Sequence, residues 1–396
     1  MGSGNAIVGQ SGGPTSVINA TLAGVIDGAA ASGSIDRLYG MPFGVEGFMA
    51  GGVVNLSAQS AATVQGLRNT PGSALGSSRH KLQDADLEPI RAGLEKHDIH
   101  TLFMIGGNDT MDTMHRIEAY CRDRGYALHG VGIPKTVDND LFGTDHTPGY
   151  GSAARYVAMS VMQAGMLARD MKRVDQFVVF QSVGRDAGWL PAAAALAKRA
   201  EDDAPHLIYV PERAFDRERF IEDVKNCRKR YGWCSIVVGE GVMDAEGKPV
   251  TGSDTTDKFA NVEFGAMGGV SVGMVLHQIV TDATDWRGEF QVTESLQMCA
   301  ADRASKTDVD EAYLAGHRAV ELADDGATGV MVTLERVNGA AYDCTTGTVA
   351  LEVVAARTKP MDDRYINEAG NFVTDAFLDY VRPLVGELPE YVRLQP

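Results

Sequence analysis

The chain of 396 residues is short of cysteine, of positive charge and of long apolar runs, and each shortage excludes something. Its five cysteines, Cys121, Cys227, Cys234, Cys299 and Cys344, form no CxxC pair and no metal-like spacing, as expected of reduced thiols rather than zinc ligands or a disulfide framework. Lys and Arg total 36 against 53 Asp and Glu, a formal net charge of -17. Such a surface does not neutralise nucleic-acid phosphates or seek an anionic membrane, so neither is an expected partner. A small anionic substrate stays open if the few basic residues concentrate at one place. No run of about 18 apolar residues occurs, which excludes a spanning helix. The opening MGSGNAIVGQ has no basic region and carries Ala at the sixth position, where N-myristoylation wants Ser or Thr. No signal or lipid anchor is expected, and the reading is a cytoplasmic protein. Internal repeats are missing too, and with them a solenoid. So is a G-x-G-x-x-G opening the first helix, which ranks a nucleotide dehydrogenase last among α/β readings.

What is present is a regular grammar of strand, glycine turn and helix. NAIVGQSGGPTSVINATLAGVIDGAAASG reads as a short buried strand, a glycine turn and a helix ending by Gly33. HTLFMIGGNDTMDTMHRIEAYCRDRG repeats it, closing at Gly125. A second series follows: QFVVFQSVG as a strand, DAGWLPAAAALAKRA as a helix, HLIYVPE as a strand, and RYGWCSIVVGEG as a helix end plus strand. DVDEAYLAGHRAVELADDG makes a later helix, and GVMVTLERV and TGTVALEVV make strands. A chain this long exceeds one ordinary core. The expected fold class is therefore α/β, with two Rossmann-like doubly wound domains, mostly parallel sheets and a cleft between them. The expected borders are 1–148, completed by later segments, 149–330, and a C-terminal portion, 331–396, packing back on the domains, so that the two domains share the chain discontinuously.

Three segments place glycines and acids where open α/β sheets bind ligands, at the carboxyl ends of strands. In SGGPTSVIN, Gly12 and Gly13 let backbone N–H groups approach an anion at a helix start, though a turn that simply needs glycine would look the same. In IGGNDTMDT, Gly106 and Gly107 open the backbone, and Asn108, Asp109 and Asp112 offer oxygens suited to Mg²⁺; helix capping is the plainer alternative. GIPKTVDNDL is the most specific. Lys135, Thr136, Asp138 and Asp140 crowd into six residues, and alternation in an extended stretch would point both carboxylates the same way. A cation, a metal ligand and a base are what phosphoryl transfer asks for. Arg79 in GSALGSSRHKL and Arg185 in SVGRDAGWL add basic charge beside glycines, and Glu240 follows the strand SIVVG.

In this order, SGGPTSVINA, GSALGSSR, IGGNDT, PKTVDND, TPGYGSAARY, GRDAGWLPAAAALA, the strand ending at Glu240 and FVTDAFLDYVRPLVGELP resemble the phosphofructokinase family over nearly the whole chain. ATP users of that family typically carry GGDGS and PGTIDND. Asp109, where they keep glycine, and Lys135, before the Thr, match its pyrophosphate users. The resemblance implies transfer from pyrophosphate to the 1-hydroxyl of fructose 6-phosphate, with Mg²⁺, in a homo-oligomer (dimer or tetramer). Residues 1–148 would then be the donor domain and 149–330 the acceptor domain. It makes Asp138 the base, supported by Asp140 and Thr136, and gives the phosphoryl group to Gly12, Gly13, Gly107, Arg79 and Lys135. Asn108, Asp109 and Asp140 become metal ligands. Val183, Gly184, Arg185 and Glu240, with Thr136, Asp138 and Asp140, become acceptor contacts.

Departures bear on the acceptor. Met298 stands where relatives commonly have the arginine of L-Q-R that holds the sugar's distal phosphate. Gln176 replaces an arginine that relatives often lend across subunits, and Val183 a usual methionine. Each lost charge-assisted bond costs about 1.5 to 3 kcal/mol. Arg173, Arg287 and Arg303 are possible substitutes from shifted positions. Sedoheptulose 7-phosphate or an unphosphorylated sugar or polyol is therefore an alternative acceptor, ATP an alternative donor, and a silent metabolite-binding subunit the reading from outside enzymes.

Overall fold

The structure, a computed structural model, describes residues 4–252, 270–337, 339 and 341–394; the first three residues of the amino-terminal stretch read above lie outside them. Among the described residues the strands, in chain order, are β1 (Gly4–Gln10), β2 (Ile35–Met41), β3 (Val54–Asn55), β4 (Ile99–Gly106), β5 (His129–Pro134), β6 (Phe177–Ser182), β7 (Leu207–Tyr209), β8 (Cys234–Gly239), β9 (Gly288–Val292), β10 (Val330–Arg336) and β11 (Cys344–Ala350). They form a seven-stranded sheet in the order β11-β10-β5-β4-β1-β2-β3 and a four-stranded sheet in the order β7-β8-β6-β9. In the larger sheet β2, β1, β4, β5 and β10 run parallel, with antiparallel β3 and β11 at the edges. The smaller sheet is parallel throughout. Near-continuous apolar runs such as Phe177–Ser182, buried at every position, suit strands covered on both faces. The α/β reading with mostly parallel sheets is therefore met.

The chain divides into two units, Met1–Ser152 with Met298–Lys359, and Ala153–Gln297 with Pro360–Pro396. Each unit carries one sheet. Residues 298–330, expected in the middle domain, belong instead to the first unit. The strands β10 and β11 are among the later segments that complete that unit. The cause is packing distant in sequence. Helix Lys306–Asp324 lies against the buried helix Ile18–Ala31, and the two backbones nearly touch. A Cβ on Gly24 would overlap the Tyr313 carbonyl oxygen, and one on Gly316 the Thr21 carbonyl oxygen. In the second unit the tail helix Asp375–Val385 returns onto the helix Trp189–Ala193, where the Trp189 ring meets Tyr365, Phe377 and Tyr380 at centroid distances of 5.6, 6.4 and 5.2 Å.

Two elements differ from expectation. TGTVALEVV is strand only to Ala350; Leu351–Ala355 is helical, because Leu351 and Val354, three apart, are both buried on one face. The predicted helix DAGWLPAAAALAKRA tightens to a 3₁₀ turn over Ala194–Ala197.

The helix crossing gives a stability prediction. Ala is favoured over Gly in a helix by about 1 kcal/mol, yet Gly316→Ala should destabilise the protein by about 1 to 3 kcal/mol, the range for overpacking. The obstacle is a backbone carbonyl, which cannot rotate away. Denaturant unfolding of the variant checks this, and a stabilised G316A would show that the helices are not so close.

Candidate active site

The first unit gathers its site at three neighbouring strand ends. Gln10, the last residue of β1, is fully buried and acts as a four-way tie. Its amide donates to Ile18 O at 3.3 Å and Asn19 Oδ1 at 3.0 Å, and its Oε1 accepts from Ser73 Oγ at 2.7 Å and Leu75 N at 3.0 Å. This seats the segment 73–79 beside the glycine turn, where Ser77 Oγ donates to Gly12 O and Gly12 N to Ser78 O. Gly12 has φ +76, a left-handed conformation that a side chain would strain.

Lys135 follows β5, two strands away, and reaches into that turn. Only 4% of its surface is exposed; its Nζ donates to Gly13 O at 2.8 Å, and a Cβ on Gly12 would stand 3.0 Å from it. Its backbone N–H bonds Gly106 O at 3.1 Å, at the end of β4. Burial lowers the ammonium to about 8 against the pull of Asp138 and Asp140, with Arg79 adding to the lowering. The structure thus brings Gly12, Gly13, Gly107, Arg79, Lys135, Asp138 and Asp140 into one neighbourhood around a desolvated cation.

The segment after Lys135 is not the extended stretch expected. Asn139 is left-handed, at φ +57. Burial nevertheless alternates: Val137 and Asn139 are inside while Asp138 and Asp140 are partly exposed. Thr136 Oγ1 accepts from Asp138 N at 3.1 Å, so Thr136 shapes the turn that presents Asp138.

Helix Asn108–Asp123 starts just after β4. Asp109 is exposed in its first turn, where the positive end of the helix favours a carboxylate. Asn108 donates through Nδ2 to Arg357 O at 3.4 Å, while its Oδ1 is buried with no hydrogen-bond partner among the described residues. A buried amide oxygen without a donor, followed directly by a carboxylate, is the hard oxygen set that a divalent ion such as Mg²⁺ accepts. The residues fit such an ion. A second group of ligand type does not. His146, Glu311 and Cys344 place ligand atoms within 4.8 Å of one another, but His146 Nδ1 lies 2.9 Å from Asp145 and its Nε2 2.7 Å from Glu311. Burial disfavours the charged ring, yet both carboxylate bonds outweigh it and raise the pKa, so the imidazole is committed to the acids.

Met298 lies in the first unit, against the donor turn. Its Cε would come 3.1 Å from a Cβ on Gly13, and its backbone O accepts from Ser16 Oγ at 3.3 Å. The position expected to hold a distal phosphate therefore covers the glycine loop in this chain.

In the second unit, Val183, Gly184 and Arg185 follow β6 and Glu240 follows the adjacent β8. Glu240 N bonds Ser182 O at 3.2 Å, Gly241 N bonds Gly184 O at 3.4 Å, and a Cβ on Gly241 would overlap the Arg185 carbonyl. Arg185 Nε lies 2.9 Å from Asp186. The turn is held from below by Glu212, whose Oε1 accepts from Gly188 N at 2.8 Å and Met361 N at 2.9 Å; burial raises its pKa. The candidate replacement arginines are elsewhere. Arg287 exchanges bonds with Gln176 and pairs with Asp175 at 3.1 Å, at the amino ends of β6 and β9, and Arg173 precedes the same ends. Arg303 belongs to the first unit, 3.8 Å from Asp302. Two residues that sequence reading passed over, Gln10 and Lys359, organise the first unit's loops. Gln10 could have been noticed as a polar residue closing an apolar strand; Lys359 carries no local signal.

Glycine turns, a buried lysine and paired aspartates at adjoining ends of a parallel sheet define an α/β protein built to grip an anionic donor, the class of the phosphotransferases. The profile of the phosphofructokinase family matches residues 5–323, and the chain belongs to that family. It is 37% identical, over 100% of this chain and 97% of the other, to a pyrophosphate–fructose 6-phosphate 1-phosphotransferase of Xanthomonas campestris. It is 33% identical, over 91% of each chain, to a sulfofructose kinase of Alkalicoccus urumqiensis. A solved pyrophosphate-dependent phosphofructokinase from Nitrosospira multiformis superposes with a TM-score of 0.88 at 36% identity, covering 99% of this chain and 95% of that one.

Proposed function

We propose that the chain transfers a phosphoryl group from pyrophosphate to the 1-hydroxyl of fructose 6-phosphate, giving fructose 1,6-bisphosphate and phosphate. The observation that carries this is Lys135, a buried ammonium between the glycine turn and the Asp138–Asp140 segment, with Asp109 at the start of the neighbouring helix. A compact, highly charged donor suits a single point charge backed by glycine N–H groups. Asp109 disfavours a nucleotide, because a carboxylate would repel its α-phosphate.

In this reading Asp138 takes the proton of the acceptor hydroxyl as the oxygen attacks phosphorus, with Asp140 and Thr136 holding its segment. Lys135, Arg79, Gly12, Gly13 and Gly107 stabilise the charge on the phosphoryl oxygens and on the departing phosphate. Asn108, Asp109 and Asp140 would hold a divalent ion, taken to be Mg²⁺, which would supply further neutralisation of the diphosphate charge. Val183, Gly184, Arg185 and Glu240 are assigned to the acceptor. Donor and product esters differ little in energy, so the reaction runs both ways and serves glycolysis or gluconeogenesis. A cytoplasmic homo-oligomer, a dimer or tetramer, is the proposed working form.

Initial rates with fructose 6-phosphate and either pyrophosphate or ATP test the donor. Pyrophosphate should exceed ATP in kcat/KM by about 10²-fold or more; parity would refute it. Asp109→Gly is expected to impair pyrophosphate use and raise ATP use, and unchanged pyrophosphate kinetics would remove Asp109 from donor selection. The acceptor is tested on sedoheptulose 7-phosphate, a 6-sulfonated fructose and an unphosphorylated polyol. Equal or faster turnover of the polyol would overturn fructose 6-phosphate.

A further inference from the structure

The carboxylates assigned to catalysis sit in a stretch with almost no secondary structure of its own, residues 136–149. Its ends are closed: Thr136 bridges Gly149, Thr136 N bonds Pro148 O at 3.3 Å, and Thr147 Oγ1 bonds Thr136 O at 2.9 Å. Closing the ends leaves the middle undetermined, and a loop of this length without further ties would sample many shapes.

The far side of the middle is tied to β10, where Asp145 N bonds Leu334 O at 2.9 Å and Leu334 N bonds Thr144 Oγ1 at 2.9 Å, and to Glu311 through His146. The side that carries the aspartates is tied by Lys359. Lys359 donates its backbone N–H to Asp140 O at 2.7 Å, next to a bridge between Leu141 and Thr358. Its ammonium then turns into the loop, donating to Asp145 O at 2.8 Å, Thr144 O at 3.1 Å and Asn139 Oδ1 at 3.4 Å. Three donors of one ammonium thus meet three oxygens spread over seven residues of the loop. The Asn139 bond also holds a fully buried residue in its left-handed turn, between the two aspartates. Backbone carbonyls converging on a point suit a small ammonium; the planar fork of arginine presents its donors in one plane and cannot match them.

We propose that Lys359 is a positioning residue for the phosphoryl-transfer step, the central post about which residues 139–145 fold so that Asp138 and Asp140 keep their working orientation. This rests on the assignment of Asp138 and Asp140 given above. Lys359 acts through the loop and touches neither substrate. Its effect should therefore fall on turnover rather than on capture of the donor.

The test uses the full chain. Lys359→Met keeps length and removes the donors. Its kcat should fall by about 10²-fold, the scale of a displacement near 1 Å, while KM for pyrophosphate changes less than about threefold on the same argument. Lys359→Arg should remain well below the parent, because charge without convergent geometry does not rebuild the post. Amide hydrogen exchange read on both variants should quicken in peptides covering 136–149 and stay at parent rates in β1 and β4. Parent-like kcat in K359M, full activity in K359R, or an exchange change that is absent or spread over the whole unit would each overturn the proposal. If neither variant folds, Lys359 is a stability residue and the proposal is likewise overturned. The exchange result does not depend on the chemistry. Local loosening with no loss of rate would therefore fault the roles given to the aspartates, and loss of rate with an unaltered loop would fault the post.

Discussion

Asp138→Asn should lower kcat by about 10²- to 10⁴-fold, the usual worth of a positioned general base, with KM for pyrophosphate nearly unchanged. The substitution is isosteric. The Asp138 backbone N–H that bonds Thr136 Oγ1 is untouched, so the turn survives. What is lost is a carboxylate able to take the acceptor's proton as the new O–P bond forms. An interaction made only in the transition state costs kcat and kcat/KM equally. Steady-state kinetics with both substrates saturated read this directly, and a variant within about threefold of the parent on that scale removes Asp138 from the chemistry.

Lys135→Met is expected to lower kcat/KM for pyrophosphate by about 10²- to 10³-fold, as loss of one electrostatic contact to a developing charge does. Stability should move the other way or not at all. Burial lowers Lys135 to about 8, so the folded state holds this ammonium less readily than the unfolded chain does. The sign follows: between pH 8 and the ordinary lysine range the unfolded chain binds the extra proton, so this group adds stability as pH rises, and K135M lacks that increment. Replacing a costly buried cation with an apolar side chain of similar length is often neutral or stabilising. A large loss of activity in a protein that melts no earlier than the parent separates a donor-binding role from a structural one. Activity carries its own pH signature. In the free enzyme kcat/KM should fall as pH rises through about 8, since the neutral amine no longer attracts the donor. Lys359, which burial also lowers to about 8, titrates in the same window. The two are told apart by the donor: bound pyrophosphate favours the ammonium it touches, so the limb in kcat should shift upward if Lys135 is responsible. A limb at the same pH in both profiles would point away from Lys135.

Much of the first unit's site was legible because its parts are local. SGGPTS, IGGND and PKTVDND each follow an apolar strand, and parallel α/β topology carries such strand ends to one edge of the sheet without further information. The extended stretch expected to point Asp138 and Asp140 the same way is instead a turn through left-handed Asn139, with both aspartates partly exposed between buried Val137 and Asn139. What was not legible depends on pairs far apart in the chain. The approach of Gly24 and Gly316 draws residues 298–330 into the first unit, and nothing in either helix alone announces the other. Lys359 lies in a stretch with no glycine turn to mark it, and its meaning comes from the loop it enters. Met298 was legible as a departure but not as a cover for Gly13, since a missing arginine does not say what the replacement touches. The strand that becomes a helix at Leu351 failed for a simpler reason: a short run of valine and leucine fits either periodicity.

Phosphorus NMR of the purified protein with Mg²⁺, pyrophosphate and fructose 6-phosphate in equal amounts is the most direct test. The pyrophosphate signal should decline as inorganic phosphate and a new sugar 1-phosphate ester rise together in equal amounts, and adding phosphate with fructose 1,6-bisphosphate should run the same change backwards. Persistence of pyrophosphate in that mixture, with a new ester forming only once ATP is added, or release of phosphate with no new ester, would contradict the assignment of Lys135 and Asp138 to pyrophosphate-driven transfer.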